Sequence, residues 1–257
     1  MSRILVTGAT RGLGRALVNE LSRRDHVVVA VGRRLEDMAD LPATERLVLD
    51  LTIPESIDEA MAAAGRLDVV VNNAAMTVSG PAEAVPANVA ERVLATNVLG
   101  PLRIMQAVLP AMRERGAGRI LNISSPAGRF APPLEGVLSA SKAALEMLSE
   151  AVRFEAGHFG VQVAIVEPGT IRTEMTERQQ KFELPAYAPL VKQYAERFAR
   201  YRQRRAPSAE QVAGEIADLI DRRSLPLRVP VGLRSERLFA RLPPSLLGRL
   251  VQSPYRW

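Results

Sequence analysis

A chain of 257 residues, 47% hydrophobic and 24% charged, is long enough to bury a substantial core and too apolar to remain disordered. It has no cysteine and two histidines, His26 and His158, which excludes disulfides, thiolate metal centres and histidine-rich metal sites. The net charge of +6 is concentrated after Lys192, most densely at Arg197, Arg200, Arg202, Arg204 and Arg205; with no recognition motif beside it, this reads as a solvated helix face, not as a nucleic-acid or membrane surface.

The chain enters a strand at once, without a secretory leader, and no uninterrupted apolar run reaches membrane-spanning length, so the cytoplasm is the expected location. Strands are expected at Ile4–Thr7, Val27–Val31, Arg46–Leu49, Leu67–Asn72, Arg119–Ile123 and Gln162–Val166. Their Val, Ile and Leu content without polar alternation suits strands covered on both faces. Helices are expected between them, at Leu13–Arg24, Pro54–Ala64, Asn88–Arg115 and Leu138–His158. In the first, Leu13, Leu17 and Leu21 recur every four residues and make one core-facing stripe. This alternation predicts an α/β fold, a doubly wound parallel sheet in a single domain with right-handed crossovers. Thr173–Pro207 breaks the rhythm and is expected to be a substrate lid. It ends before a helix opening at Ser208, which forms a capping box with Gln211. Residues 243–257 read as a terminal arm that packs on a neighbour or subunit.

Thr7-Gly8-Ala9-Thr10-Arg11-Gly12-Leu13-Gly14 falls where the first strand turns into the first helix. Glycines there let backbone approach a pyrophosphate, and the helix N-terminus offers oriented N–H groups. NAD sites usually carry an acid after the second strand to bind the ribose hydroxyls. This chain has Val31-Gly32-Arg33-Arg34 instead, with Arg11 nearby. Guanidinium groups in place of the carboxylate suit the 2′-phosphate of NADP, with Arg11 and Arg33 the favoured pair.

Taken together, these segments resemble the short-chain dehydrogenase/reductase family over roughly residues 3–223. The G-x-x-x-G-x-G spacing of Gly8, Gly12 and Gly14 is similar to that family's cofactor turn. Asp50-Leu51 resembles the position that meets the adenine, and Asn72-Asn73-Ala74-Ala75 resembles its Asn-Asn-Ala-Gly motif with Ala75 in place of glycine. Pro168-Gly169-Thr170-Ile171-Arg172-Thr173 resembles the segment holding the nicotinamide carboxamide. The resemblance implies further roles. Asn97 would hold a water linked to the lysine, Ser125 would hydrogen-bond the substrate oxygen, and Lys142 would bind the nicotinamide ribose. It also implies pairing through the helices Asn88–Arg115 and Leu138–His158, giving a homodimer or homotetramer.

Leu138-Ser139-Ala140-Ser141-Lys142 resembles the family's Tyr-x-x-x-Lys signature with the tyrosine replaced. Positions 138 and 142 share one helix face, and leucine can move no proton. A positioned acid–base group contributes about 10²–10⁴-fold, and a lost oxyanion donor costs about 2.7–4 kcal/mol. Four readings stay open: a deliberate substitution, a hydride-transfer enzyme with another proton source, a non-redox catalyst using NADP as scaffold, and a non-catalytic NADP-binding protein. Replacement acids within reach are Glu135, before Leu138, and Tyr187, Tyr194 and Tyr201, spaced by seven. The plainer expectation leaves Glu135 in solvent and has the tyrosines pack the lid. Met175, Phe182, Leu184, Tyr187 and Leu190 suggest a hydrophobic or aromatic small-molecule substrate.

Overall fold

The computed structural model describes residues 1–232 and Leu246. Seven strands form one parallel sheet: β1 (Arg3–Thr7), β2 (Val27–Gly32), β3 (Glu45–Val48), β4 (Val69–Asn72), β6 (Gly118–Ile123), β7 (Val161–Pro168) and β9 (Arg228–Val231), in the order β3-β2-β1-β4-β6-β7-β9. Two short strands, β5 (Val78–Ser79) and β8 (Gln180–Lys181), pair apart from it. Both faces of the sheet are covered. On one side α1 (Gly12–Arg23) and α8 (Ala209–Asp221) bury Leu17, Leu21, Val212 and Ile216 against Ile4, Val6 and Val166. On the other, α2 (Pro54–Ala64), α4 (Gly100–Glu114) and α5 (Gly136–Gly157) bury Ile57, Ile104, Met105 and Val152 against Leu5, Val70 and Ile120.

The six expected strands and four expected helices are present within two residues at each end, because their apolar runs and stripes are what a double-faced sheet needs. The seventh strand escaped notice. β9 holds Arg228 and Pro230, which break an apolar run, and proline is tolerated because β9 lies at the sheet edge. The capping box of Ser208 with Gln211 opens α8 as expected.

The long helix is continuous from Ala87 to Glu114 but changes character midway. After α3 (Ala87–Leu94) comes one π-helical turn, Ala95–Leu99, and then α4. By length and composition this is the one helix among the described residues apolar enough to cross a membrane. The buried side chains of its second part, Ile104, Met105, Val108 and Met112, belong to the sheet's core, and Val89 and Val93 of its first part pack with Val78. Segment 173–207 is mostly ordered into α6 (Met175–Arg178), β8 and the 18-residue α7 (Ala188–Arg205). The expected arm at 243–257, Leu246 aside, lies outside the described residues.

Strand order reverses between β1 and β4: the chain winds outward through β2 and β3, then returns to the other side of β1. Ligands of open α/β sheets bind beyond the strand ends at such a reversal. A cleft of about 1930 Å³ lies there.

Candidate functional site at the strand ends

The turn from β1 into α1 is stitched to the end of β4. The Thr7 hydroxyl accepts the N–H groups of Asn73 and Ala74, both at 3.0 Å, and Asn73 Nδ2 donates to the Thr7 carbonyl at 2.8 Å. This closeness is why two glycines are required. A Cβ on Gly14 would lie 2.1 Å from the Gly8 carbonyl oxygen, and Gly8 has φ +67° with Ala74 Cα 2.8 Å from where its Cβ would stand. The helix that follows carries neither a capping side chain nor an acid in its first turn, so its opening N–H groups and positive dipole end face the cleft uncompensated.

Around this turn the cleft is lined by Thr10, Arg11, Gly12, Leu13, Arg33, Asp50, Leu51, Asn73 and Ala74, and on the far side by Pro168, Gly169, Ile171 and Thr173. The two arginines after β2 divide. Arg34 is held by Asp37 in two hydrogen bonds, at 3.0 and 2.8 Å. Arg33 and Arg11 make no salt bridge among the described residues. Asp50 accepts the Thr52 N–H and hydroxyl at 2.9 and 2.7 Å; burial alone would lift its pKa, but these bonds and the Arg33 charge leave it lowered. A bare helix N-terminus, a close-approach glycine turn and two uncommitted guanidiniums form a donor set that fits a dinucleotide with an additional phosphate.

Deeper in the same cleft, α5 presents Leu138 and Lys142, and the loop after β6 presents Ser125. Ser125 has extended backbone, and its Oγ accepts the Ala127 N–H at 3.2 Å. Lys142 is buried, and Nζ donates to the Ile123 carbonyl at 2.7 Å. Burial brings its pKa down to about 8, opposed by the Glu146 charge. Asn97 stands apart: it sits in the π turn and is not among the cleft-lining residues. Its amide bonds the Met76 backbone in both directions, at 2.8 and 2.9 Å, and donates to Ser141 Oγ at 2.9 Å. Ser141 in turn donates to the Leu138 carbonyl at 2.7 Å. Asn97 therefore braces the first turn of α5 beneath residue 138.

One feature was missed in the sequence, and one expectation is corrected. Arg228 of β9 pairs with buried Glu146 at 2.6 Å, with buried Glu167 at 2.8 Å and with Glu150. Glu146 also accepts the Ser124 hydroxyl at 2.6 Å. Burial lifts the Glu167 carboxyl, which Arg228 opposes. Only the position of Glu146, four residues after Lys142 on α5, offered a signal. Glu135 does not face solvent alone: it lines the cleft and its Oε1 accepts the Tyr194 hydroxyl at 2.5 Å.

The lid residues also sort differently from expectation. Met175 lines the cleft, but Phe182 packs on Val78, Val89 and Val93, and Tyr187 lies outside the cleft lining, beside Glu83. The aromatic side chains that do line the cleft are Phe130, Tyr194 and Phe198, the last two stacked with centroids 6.0 Å apart. Periodicity could not distinguish them, because α7 has polar residues on every side.

Residues 2–184 match the family of short chain dehydrogenases. Over 98% of this chain and 96% of the relative, the sequence is 30% identical to a 3-ketodihydrosphingosine reductase of Bacteroides thetaiotaomicron. A short-chain dehydrogenase from Streptomyces avermitilis is 33% identical and superposes with a TM-score of 0.81, covering 98% of this chain and 92% of that one. One from Burkholderia cenocepacia, solved in complex with NADP, is 27% identical with a TM-score of 0.74, covering 96% and 97%.

Proposed function

This chain belongs to the short-chain dehydrogenase family, and on that premise we propose that it is an NADP-dependent oxidoreductase acting on a hydrophobic carbonyl or alcohol, with a proton route that does not use a tyrosine at position 138. The observation that carries the proposal is the single cleft joining the bare N-terminus of α1, Arg11 and Arg33 to Ser125 and Lys142. When bound, the dinucleotide supplies or accepts the hydride.

The chain's own residues do the rest. The α1 N–H groups and Gly8-to-Gly14 backbone hold the pyrophosphate, Arg11 and Arg33 hold the 2′-phosphate, and Asp50 lies where an adenine amino group would donate. Pro168, Gly169, Ile171 and Thr173 border the nicotinamide. Lys142, a buried ammonium with a lowered pKa, bonds the ribose when it leaves the Ile123 carbonyl. Ser125 orients the substrate oxygen. Leu138, one helical turn before Lys142, presents an apolar surface where the family's signature has a phenol.

The choice of a hydrophobic substrate is supported by Leu138, Phe130, Met175 and Phe198 in the cleft and by the relative named for a long-chain ketone. Leu99, in the π turn before α4, and Met147 and Phe154 on α5 are exposed large apolar side chains, which supports pairing of two copies through this long helix and α5. The test is loss of the nicotinamide absorbance of NADPH with a panel of hydrophobic ketones, 3-ketodihydrosphingosine among them. Substrate turnover with no change in that absorbance would instead favour a non-redox catalyst. Binding of NADPH with no turnover of any kind would leave a dinucleotide-binding protein.

A further inference from the structure

We propose that Glu135, held by Tyr194, is the proton donor to the substrate oxygen, serving in place of the group that residue 138 cannot supply; the inference rests on the carbonyl-reductase reading above. Glu135 closes the loop that enters α5 and lies three residues before Leu138, and both line the cleft with Ser125. Ser, Thr, Asp and Asn at a helix N-cap turn a side-chain oxygen onto the first-turn N–H groups. Glu135 makes no such bond. Its Oε1 meets the Tyr194 hydroxyl from α7 instead.

The backbone that places this carboxyl is constrained. Leu134 has φ 67°, a left-handed conformation that a branched side chain disfavours and that persists only where the surroundings enforce it. Its carbonyl accepts the Gly80 N–H at 2.8 Å. Arg129, Lys142, Glu174, Arg178 and Arg197 line the same cleft, yet the group hydrogen-bonded to Glu135 is the Tyr194 hydroxyl. No cation is salt-bridged to it among the described residues. Burial lifts the Glu135 carboxyl, while the Tyr194 hydrogen bond pulls it down. A carboxyl lifted toward neutrality is a better acid at working pH than a phenol with a pKa near 10.

In the reducing direction the carbonyl carbon takes the hydride that NADPH supplies, and the π pair moves to oxygen. The carboxylic O–H of Glu135 breaks, its proton bonds to that oxygen, and the electron pair stays on the carboxylate. Water returns a proton to Glu135 before the next turnover. Tyr194 keeps the carboxyl aimed but gives up no proton.

Glu135→Gln and Tyr194→Phe in the intact chain test this with NADPH and the hydrophobic ketone panel. Glutamine keeps an amide oxygen for Tyr194 but has no proton to give. The expected results for Glu135→Gln are a kcat lower by roughly 10²–10⁴-fold, an unchanged NADPH Kd by fluorescence titration, and disappearance of the high-pH fall in kcat/KM. Tyr194→Phe removes a bond that favours the carboxylate, so it moves that fall to higher pH. Carbon-13 carboxyl NMR of the unliganded protein supplies an independent readout. A Glu135 signal titrating above the ordinary glutamate range, and higher still in Tyr194→Phe, supports the proposal, and one in the ordinary range overturns it. Wild-type turnover and pH profile in Glu135→Gln would overturn it too, leaving the reductase reading intact. Wild-type protein that neither binds NADPH nor reduces any ketone sinks that reading and this inference together.

Discussion

Substituting Leu138→Tyr places a phenol one helical turn from Lys142, on the cleft face of α5. The position is prepared for it. The Leu138 carbonyl is fixed by Ser141, Ser141 by Asn97, and Asn97 by the Met76 backbone, so a new side chain inherits a braced Cα. Leu138 is half-buried against an open cleft, which leaves room for a ring without overpacking. The buried Lys142 ammonium favours the phenolate, drawing a tyrosine down from its ordinary value near 10. A positioned acid contributes about 10²–10⁴-fold, which at 1.36 kcal/mol per decade is about 2.7–5.4 kcal/mol. That full gain is expected in the Glu135→Gln background, where no other acid operates. In the wild type the gain is expected to be below about tenfold, since two donors to one oxygen do not add. The assay is NADPH oxidation with a ketone that the wild type reduces, alongside NADPH affinity and thermal melting. A Leu138→Tyr protein that folds and binds NADPH yet gains nothing in either background would refute the idea that residue 138 faces the reacting carbonyl.

Arg33→Ser is expected to weaken NADPH binding by about 10–150-fold, the worth of one charged hydrogen-bond set of about 1.5–3 kcal/mol, while NADH binding holds. Arg34→Ser changes neither, because Asp37 already occupies Arg34; paired fluorescence titrations check both. Lys142 binds fewer protons when folded than when unfolded between its folded pKa of about 8 and the ordinary lysine value of 10.5. Its burial penalty is thus full below about pH 8 and relieved as pH rises to 10.5. Denaturant unfolding across that window should show wild-type stability rising relative to Lys142→Met, by at most about 3 kcal/mol. Phe154→Glu, at a side chain 73% exposed on the outer face of α5, is expected to turn a dimer into a monomer by light scattering without changing NADPH affinity.

The body of the fold was legible because its signals are local. Val27–Val31 reads as a strand buried on both sides, and Leu13, Leu17 and Leu21 read as one helix stripe. The cofactor turn was legible for the same reason: Gly8 and Gly14 leave no room for a Cβ beside Ala74 and Asn73, just after β4, and Gly12 has a positive φ. What stayed hidden depends on partners distant in the chain. Arg228 looks like a surface cation until β9 docks it against Glu146 and Glu167. Glu135 looks solvated until α7 brings Tyr194 to it, 59 residues later. Asn97 matched its motif, but which groups its amide would meet was settled by the π turn, and no periodicity announces one.

The hub at Arg228 has a consequence for how the protein is made. Glu146 and Glu167 are almost completely dehydrated, and a dehydrated carboxylate lacking its counter-ion is strongly unfavourable. A chain that stops short of residue 228 lacks the guanidinium that the buried carboxyls of α5 and β7 share. Docking of the edge strand is thus expected to be one of the last steps by which the chain closes its interior.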